Sequence, residues 1–329
     1  MPDRHSHRLS PLSPSRQELN YRIVTTESPS STVLISLNWQ ESDPILRMRN
    51  GNEPTAITES AVNYPLLYRV TSKTRRFCLG HTAMTPNGTS YEMCLEELQQ
   101  GRKCIKCSSA DARYAANLHQ SHKKSIDEVP EAFRSHMDQP NLLYLACFAD
   151  GSLKVGTTTQ KRKERRLREQ GAIWATIVAK TLNGYTVRIL EDLVTDQLSI
   201  QQAVSTKRKL AGLANPISRK DAKNKLERSI REVQAVLEDA QNLDYEPHVT
   251  EWENDALENN LWSNVHLYPR DLTNGAHALK IVGMVGRIAA LSPEDSSDVF
   301  IADLNPLFGV EMEIGRFDTE ELLVQDALF

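Results

Sequence analysis

The sequence has no apolar stretch long enough to cross a membrane as a helix. Its longest strongly apolar run, near Leu142–Phe148, is far shorter than the ~20 residues such a span needs. Met1–Arg16 is rich in His, Ser, Pro and Arg and lacks the apolar centre of a secretory signal, so a cytoplasmic location is expected. There is no excess of positive charge. The 39 Lys and Arg stand against 43 Asp and Glu, a net charge of -4. A global attraction to nucleic acid is thereby excluded, and any such attraction must come from a local patch. Neither an internal repeat nor a coiled-coil heptad pattern is present. Cysteine is scarce, at 5 residues, and a cytosolic setting argues against disulfides.

What is there suffices for folded cores. Hydrophobic residues make up 40% of the 329 residues, with 25% charged and a mean hydropathy of -0.47, the balance of a soluble chain. At roughly 100–200 residues per domain, two or three units are expected. The fold class predicted is α+β. Expected in order are a disordered tail over 1–20, an N-terminal β segment over 21–76 and a metal-binding segment over 77–110. A core over 140–215, a long helix over 216–243 and a β-rich C-terminal module over 244–329 follow.

Local pattern supports that order. Thr32–Trp39 is β-branched and apolar and reads as a strand, with Ile45–Arg49 as its partner and Leu66–Ser72 as another strand. Asp111–His122 reads as a helix and Ser121–Pro140 as a polar connection. Leu142–Phe148 and Leu153–Thr157 form a hairpin about Ala149-Asp150-Gly151. Gln160–Gln170 is a basic helix stopped by Gly171. A strand over Ala175–Thr181 precedes an amphipathic helix over Tyr185–Leu198, and a longer helix spans Asp221–Gln241. Short strands are expected at His266–Tyr268, Ala278–Val285, Arg287–Leu291, Val299–Leu304 and Val310–Ile314, as a small barrel or sheet that the strands near Thr32 complete.

The cysteines carry the sharpest chemical signal. Cys78, Cys94, Cys104 and Cys107 are spaced C-x15-C-x9-C-x2-C. Four thiolates close a tetrahedral shell about zinc, the structural arrangement, and the turn between Cys104 and Cys107 is expected to point both sulfurs inward. His81 is an alternative ligand. A redox role for the Cys104/Cys107 pair is the weaker reading, because redox pairs do not draw on distant cysteines. Cys147, in mid-strand, reads as a small core residue.

The stretch Tyr144–Glu191 resembles the core of the GIY-YIG nuclease superfamily, with Leu142-Leu143-Tyr144 at the first motif and Lys154-Val155-Gly156 at the second. The resemblance implies a three-stranded sheet flanked by helices, with catalytic roles for Tyr144, Gly156, Arg166 and Glu191. Arg162, one turn earlier, competes for the arginine position. The resemblance also implies that Glu191 holds magnesium or manganese, which acts as a Lewis acid on a phosphodiester. Tyr144 would relay the proton of the attacking water, and Arg166 would bind phosphate oxygens. Over roughly Cys78–Gly212 the chain is closer still to a bacterial and archaeal family of unknown function that joins a cysteine cluster to such a segment, with weaker echoes at Tyr268–Gly286.

A basic run adds a partner class. Lys161, Arg162, Lys163, Arg165, Arg166 and Arg168 face only Glu164 and Glu169 in their segment, and Arg162, Arg165, Arg166 and Glu169 share a helix side. Lys154, Lys161, Arg162, Arg165 and Arg168 are therefore candidate nucleic-acid contacts, with DNA or RNA as partner. The function expected is a metal-dependent nucleic-acid-processing protein, an endonuclease-like phosphodiesterase with a structural zinc site. The alternative is a non-catalytic nucleic-acid-binding or scaffold protein.

Overall fold

The computed structural model describes residues 30–319 except 52, 54, 86–87, 241, 258–259 and 295. The tail expected over 1–20 lies outside the described residues. In chain order, the first four strands are β1 (Ser30–Gln40), β2 (Asp43–Asn50), β3 (Ile57–Ser60) and β4 (Pro65–Val70). The cysteine segment carries β5 (Arg76–Phe77), β6 (His81–Thr85), β7 (Gly88–Glu92), β8 (Glu97–Leu98) and helix α1 (Ile105–His119), and a short α2 (Glu131–Met137) follows. The central unit is β9 (Asn141–Cys147), β10 (Leu153–Thr159), α3 (Lys163–Gln170), β11 (Trp174–Thr181), α4 (Gly184–Leu198), α5 (Thr206–Ala214), α6 (Arg219–Glu238) and β12 (Tyr245–Glu253). The last strands among the described residues are β13 (Val265–Leu267), β14 (Gly275–Val285), β15 (Ile288–Pro293), β16 (Val299–Asp303) and β17 (Glu311–Ile314).

The architecture is α+β, and two sheets dominate it. The central sheet is antiparallel with order β10-β9-β11-β12. Its middle strand β9 explains the unbroken apolar run of the sequence. Leu143, Leu145 and Cys147 face a core with Val187, Leu190 and Val194 of α4 and Leu226 and Val233 of α6. Leu142, Tyr144 and Ala146 face the opposite way, toward Leu167 of α3. A strand covered on both faces has no polar side to alternate with. Gly171, at φ 69, caps α3 in the left-handed region, and the Asn183 side chain accepts from Thr186 N to start α4.

The second sheet has nine strands in the order β13-β16-β15-β14-β4-β17-β1-β2-β3. The two ends of the chain thus share it: β17 lies between β4 and β1. It is an open sheet and not a barrel. It curls enough that Trp39 of β1 donates a hydrogen bond to the carbonyl of Gly286, at 3.3 Å.

Three expectations need correction. Cys104 and Cys107 do not flank a free turn, because α1 starts six residues before the predicted Asp111 and Cys104 is its N-cap. The polar connection over Ser121–Pro140 contains α2, which buries Phe133 and Met137. The central sheet has a fourth strand, β12, whose residues are half-buried or exposed and leave no apolar run to read.

Candidate functional site

The four sulfurs of Cys78, Cys94, Cys104 and Cys107 lie within 4.8 Å of one another. A tetrahedral zinc with Zn–S bonds of ~2.3 Å sets its sulfurs ~3.8 Å apart, and Cys94 Sγ and Cys104 Sγ are 3.9 Å apart. That separation is also far beyond the ~2.05 Å of a disulfide. The backbone supports the charge of bound thiolates: the N–H groups of Gly80 and Cys104 point at Cys78 Sγ, at 3.4 and 3.3 Å. Gly80 is at φ +71, and a Cβ there would run into the carbonyl oxygen of Glu92. The donor set fits zinc, and His81, at the start of β6, is not part of it. Cys147 sits in the separate core of the central sheet, where burial pushes its thiol up to about 12.

Both arms of the cysteine segment lead to one cleft. The β6–β7 hairpin, between Cys78 and Cys94, supplies Thr82, Ser90 and Tyr91, and α1, which begins at Cys104, supplies Tyr114 and His119. Thr82 N donates to Asp111 of α1 at 3.0 Å, tying the arms together. Beyond α1, His122 and Lys123 reach Asp192 of α4, at 3.0 and 2.7 Å, and fasten the segment to the central unit. Arg162, the N-cap of α3, lines the cleft too, with Arg165, Arg166 and Glu169 of α3, Arg188 of α4 and Arg47 of β2, whose guanidinium lies over the Tyr91 ring. The cleft is about 460 Å³ in volume.

Its charge is lopsided, for five arginines and one glutamate line it. Burial, then the neighbouring charge of Arg165, holds the Arg162 guanidinium below its ordinary pKa. Burial, then Arg162 and Arg188, lowers His136 as well. Cations crowded together in this way are relieved by an anion.

Beneath the cleft lies the group singled out by motif. Tyr144 is fully buried, and its hydroxyl lies beside Arg166 without a well-formed hydrogen bond. Burial raises its pKa, Arg166 beside it pulls back, and the charge of Glu191 adds to the rise. Arg166 and Glu191 are thus both near enough for their charges to act on Tyr144. Glu191 does not open to solvent, however. It is 4% exposed, and its Oε2 accepts from Arg188 Nη1 at 2.6 Å. Lys154 is buried too and donates to the carbonyl of Gln202 at 2.7 Å; burial, then Arg166, draws its pKa down to about 8.

The basic residues divide by position. Arg162, Arg165 and Arg166 line the cleft, joined by Arg47 and Arg188, which the sequence pattern did not single out. Lys161 is exposed and outside it. Arg168 and Lys154 need correcting as phosphate contacts. Arg168 is 8% exposed, pairs with both oxygens of Asp255 at 2.6 and 3.1 Å, and lies over Trp252. Lys154 is spent on a backbone carbonyl.

The family described as Protein of unknown function (DUF2797) matches residues 70–264, more than half of the chain. The chain belongs to this family. The DUF2797 match covers all four cysteines and every cleft arginine except Arg47. No curated protein and no solved structure matches the chain. Among the described residues no helix is long and apolar enough to cross a membrane.

Proposed function

We propose that this chain binds nucleic acid by gripping backbone phosphate in the arginine-lined cleft, with the zinc-held cysteine segment as one wall. The observation that carries this reading is the set of five arginines lining one recess against the single carboxylate of Glu169. Guanidinium groups present paired N–H donors matched to phosphate oxygens, and each phosphate held offsets their mutual repulsion. The overall charge of -4 does not oppose this, because the attraction is local.

The test is charge reversal at Arg162 and Arg165, both to Glu, read as oligonucleotide affinity across a salt titration. Fewer released counterions should flatten the log–log salt slope by up to about 2 units and weaken binding at every salt. An unchanged slope and affinity would leave the basic helix as a solubility feature.

A second reading, cleavage on a GIY-YIG-like core, draws support from the nearness of Arg166 and Glu191 to Tyr144. On it, Arg166 donates to phosphate oxygens and the Tyr144 hydroxyl handles a proton. A magnesium or manganese ion does not fit this arrangement. Glu191 is already paired with Arg188, and Lys154 and Arg166 stand close by, so a divalent cation would join three positive charges. Turnover by the wild type that Glu191→Gln abolishes would favour cleavage. A wild type that cuts no single-stranded, duplex or branched substrate with either metal leaves binding as the function.

A further inference from the structure

We infer that the cleft selects one unpaired nucleic-acid strand over a duplex, with a phosphate against the α3–α4 arginines and a base against Tyr114; the inference rests on the nucleic-acid reading above. Size is the first argument. A recess of about 460 Å³ is the scale of sites that enclose one small ligand. A duplex is far bulkier, its major groove alone being ~12 Å wide.

Enclosure is the second argument. The arginines line a recess and are half exposed in it, the Arg162 side chain being 42% and that of Arg165 45% exposed. The hairpin carrying Tyr91 and the helix carrying Tyr114 line the same recess, on a segment fastened to α4 through Asp192. A flexible single strand can bend a phosphate and a base into such a recess, whereas a duplex, with a persistence length of ~50 nm, resists the bending this needs.

The third argument is the pairing of ring with cation. The Tyr114 phenol is near enough to Arg162 and Arg166 to feel their charge, and its ring packs at 5.6 Å against Phe133, which fixes its plane. Phosphate and base of one nucleotide thus find guanidinium and aromatic partners side by side, the combination that single-strand sites use without reading sequence. Unmet hydrogen-bonding capacity points the same way: Arg162 Nε is buried without a partner at this wall. A phosphate oxygen supplies the acceptor.

The experiment measures fluorescence anisotropy of the full chain with a labelled single strand of about 20 nucleotides and with a blunt duplex of the same length, long enough to stay paired at the concentrations used. The single strand should bind at least roughly tenfold more tightly. Tyr114→Ala should weaken it roughly tenfold, the worth of one stacked base. Tyr114→Phe keeps the ring and should rescue most of that loss, and thermal melts of both variants separate lost stacking from a folding defect through the lost contact with Phe133. Tyr91→Ala, on the exposed hairpin, is a second probe of the same wall and should weaken the single strand more than the duplex. Equal affinity for the two forms, or no effect of either tyrosine, overturns the inference and leaves phosphate binding standing. Failure to bind either form overturns both.

Discussion

The ring of Tyr144 occupies the space that a side chain at residue 156 would need. The two residues are direct partners in the β9–β10 register, and a Cβ on Gly156 would stand 2.5 Å from Cζ and Oη of Tyr144. The ring can therefore lie across β10 and bring its hydroxyl to Arg166 only because position 156 has no side chain. Gly156→Ala should destabilise the chain by about 1–3 kcal/mol through overpacking. In a Tyr144→Leu background the same change should cost much less. Urea denaturation of the four proteins gives the coupling, and additive costs would show that the contact is not what position 156 responds to.

The cysteine centre gives a second test. Protein purified under reducing conditions should carry one zinc per chain, and Cys104→Ser should lose it. Because the sulfurs close both arms of the segment, removal of the metal should destabilise the chain by several kcal/mol. It should also weaken oligonucleotide binding, since Tyr91 and Tyr114 stand on those arms. Cys147→Ser, in the separate core, should keep its zinc. Elemental analysis decides the matter, and metal-free wild-type protein would end the assignment.

The sequence announced what local pattern encodes. Period and punctuation marked β9, β10, α3, β11 and α4, since strands buried on both faces and a glycine-stopped helix leave strong signals. Joining the N- and C-terminal strands into one sheet was legible from the proximity of chain ends. The cysteine cluster was legible from spacing. Hidden were elements with weak periodicity, such as α2 and β12, and every relation made by tertiary contact. Nothing local distinguishes Arg168, turned onto Asp255, from Arg165, three residues earlier and facing the cleft. Arg47 and Arg188 come from elements distant in sequence. The ion pair of Glu191 with Arg188, at i and i+3, was visible as spacing but not as an occupied carboxylate.

Arg165 and Arg168, two of the three arginines of α3, should separate cleanly by experiment. Arg168→Ala loses a bidentate pair and its packing on Trp252, so it should cost about 1–2 kcal/mol of stability while leaving the salt slope of binding unchanged. Arg165 has a side chain 45% exposed, paired with Glu169 at 3.2 Å in an i,i+4 contact worth no more than about 0.5 kcal/mol. Arg165→Ala should leave stability near wild type and flatten the salt slope by up to about 1 unit. Thermal melts and salt titrations on the same preparations measure both. The opposite pattern would mean that Arg168 faces the ligand.

A buried histidine in the nine-stranded sheet should make stability fall in mild acid. His277 is 2% exposed and stacks on Tyr68 at 4.9 Å. With the proton on Nε2, the ring donates to the carbonyl of Asn274 at 3.0 Å and accepts on Nδ1 from the Tyr268 hydroxyl at 2.8 Å. A second proton would force that hydroxyl to turn from donor to acceptor. Burial is the largest influence and Arg270 works with it, while the Asn274 carbonyl and Asp271 oppose; together they bring the pKa to about 4. The unfolded chain binds a proton here at ~6.5. Between those values the unfolded state holds more protons than the folded one, so stability is fully present above ~6.5 and declines as pH falls toward 4. This group contributes up to about 1.4 kcal/mol per pH unit in that window. His277→Gln keeps a donor and an acceptor but cannot take up the proton. Denaturant midpoints at pH 7, 6 and 5 should therefore fall less steeply for the variant than for the wild type. Parallel declines would place the acid sensitivity elsewhere, on groups common to both proteins such as His119, whose pKa burial also lowers to about 4.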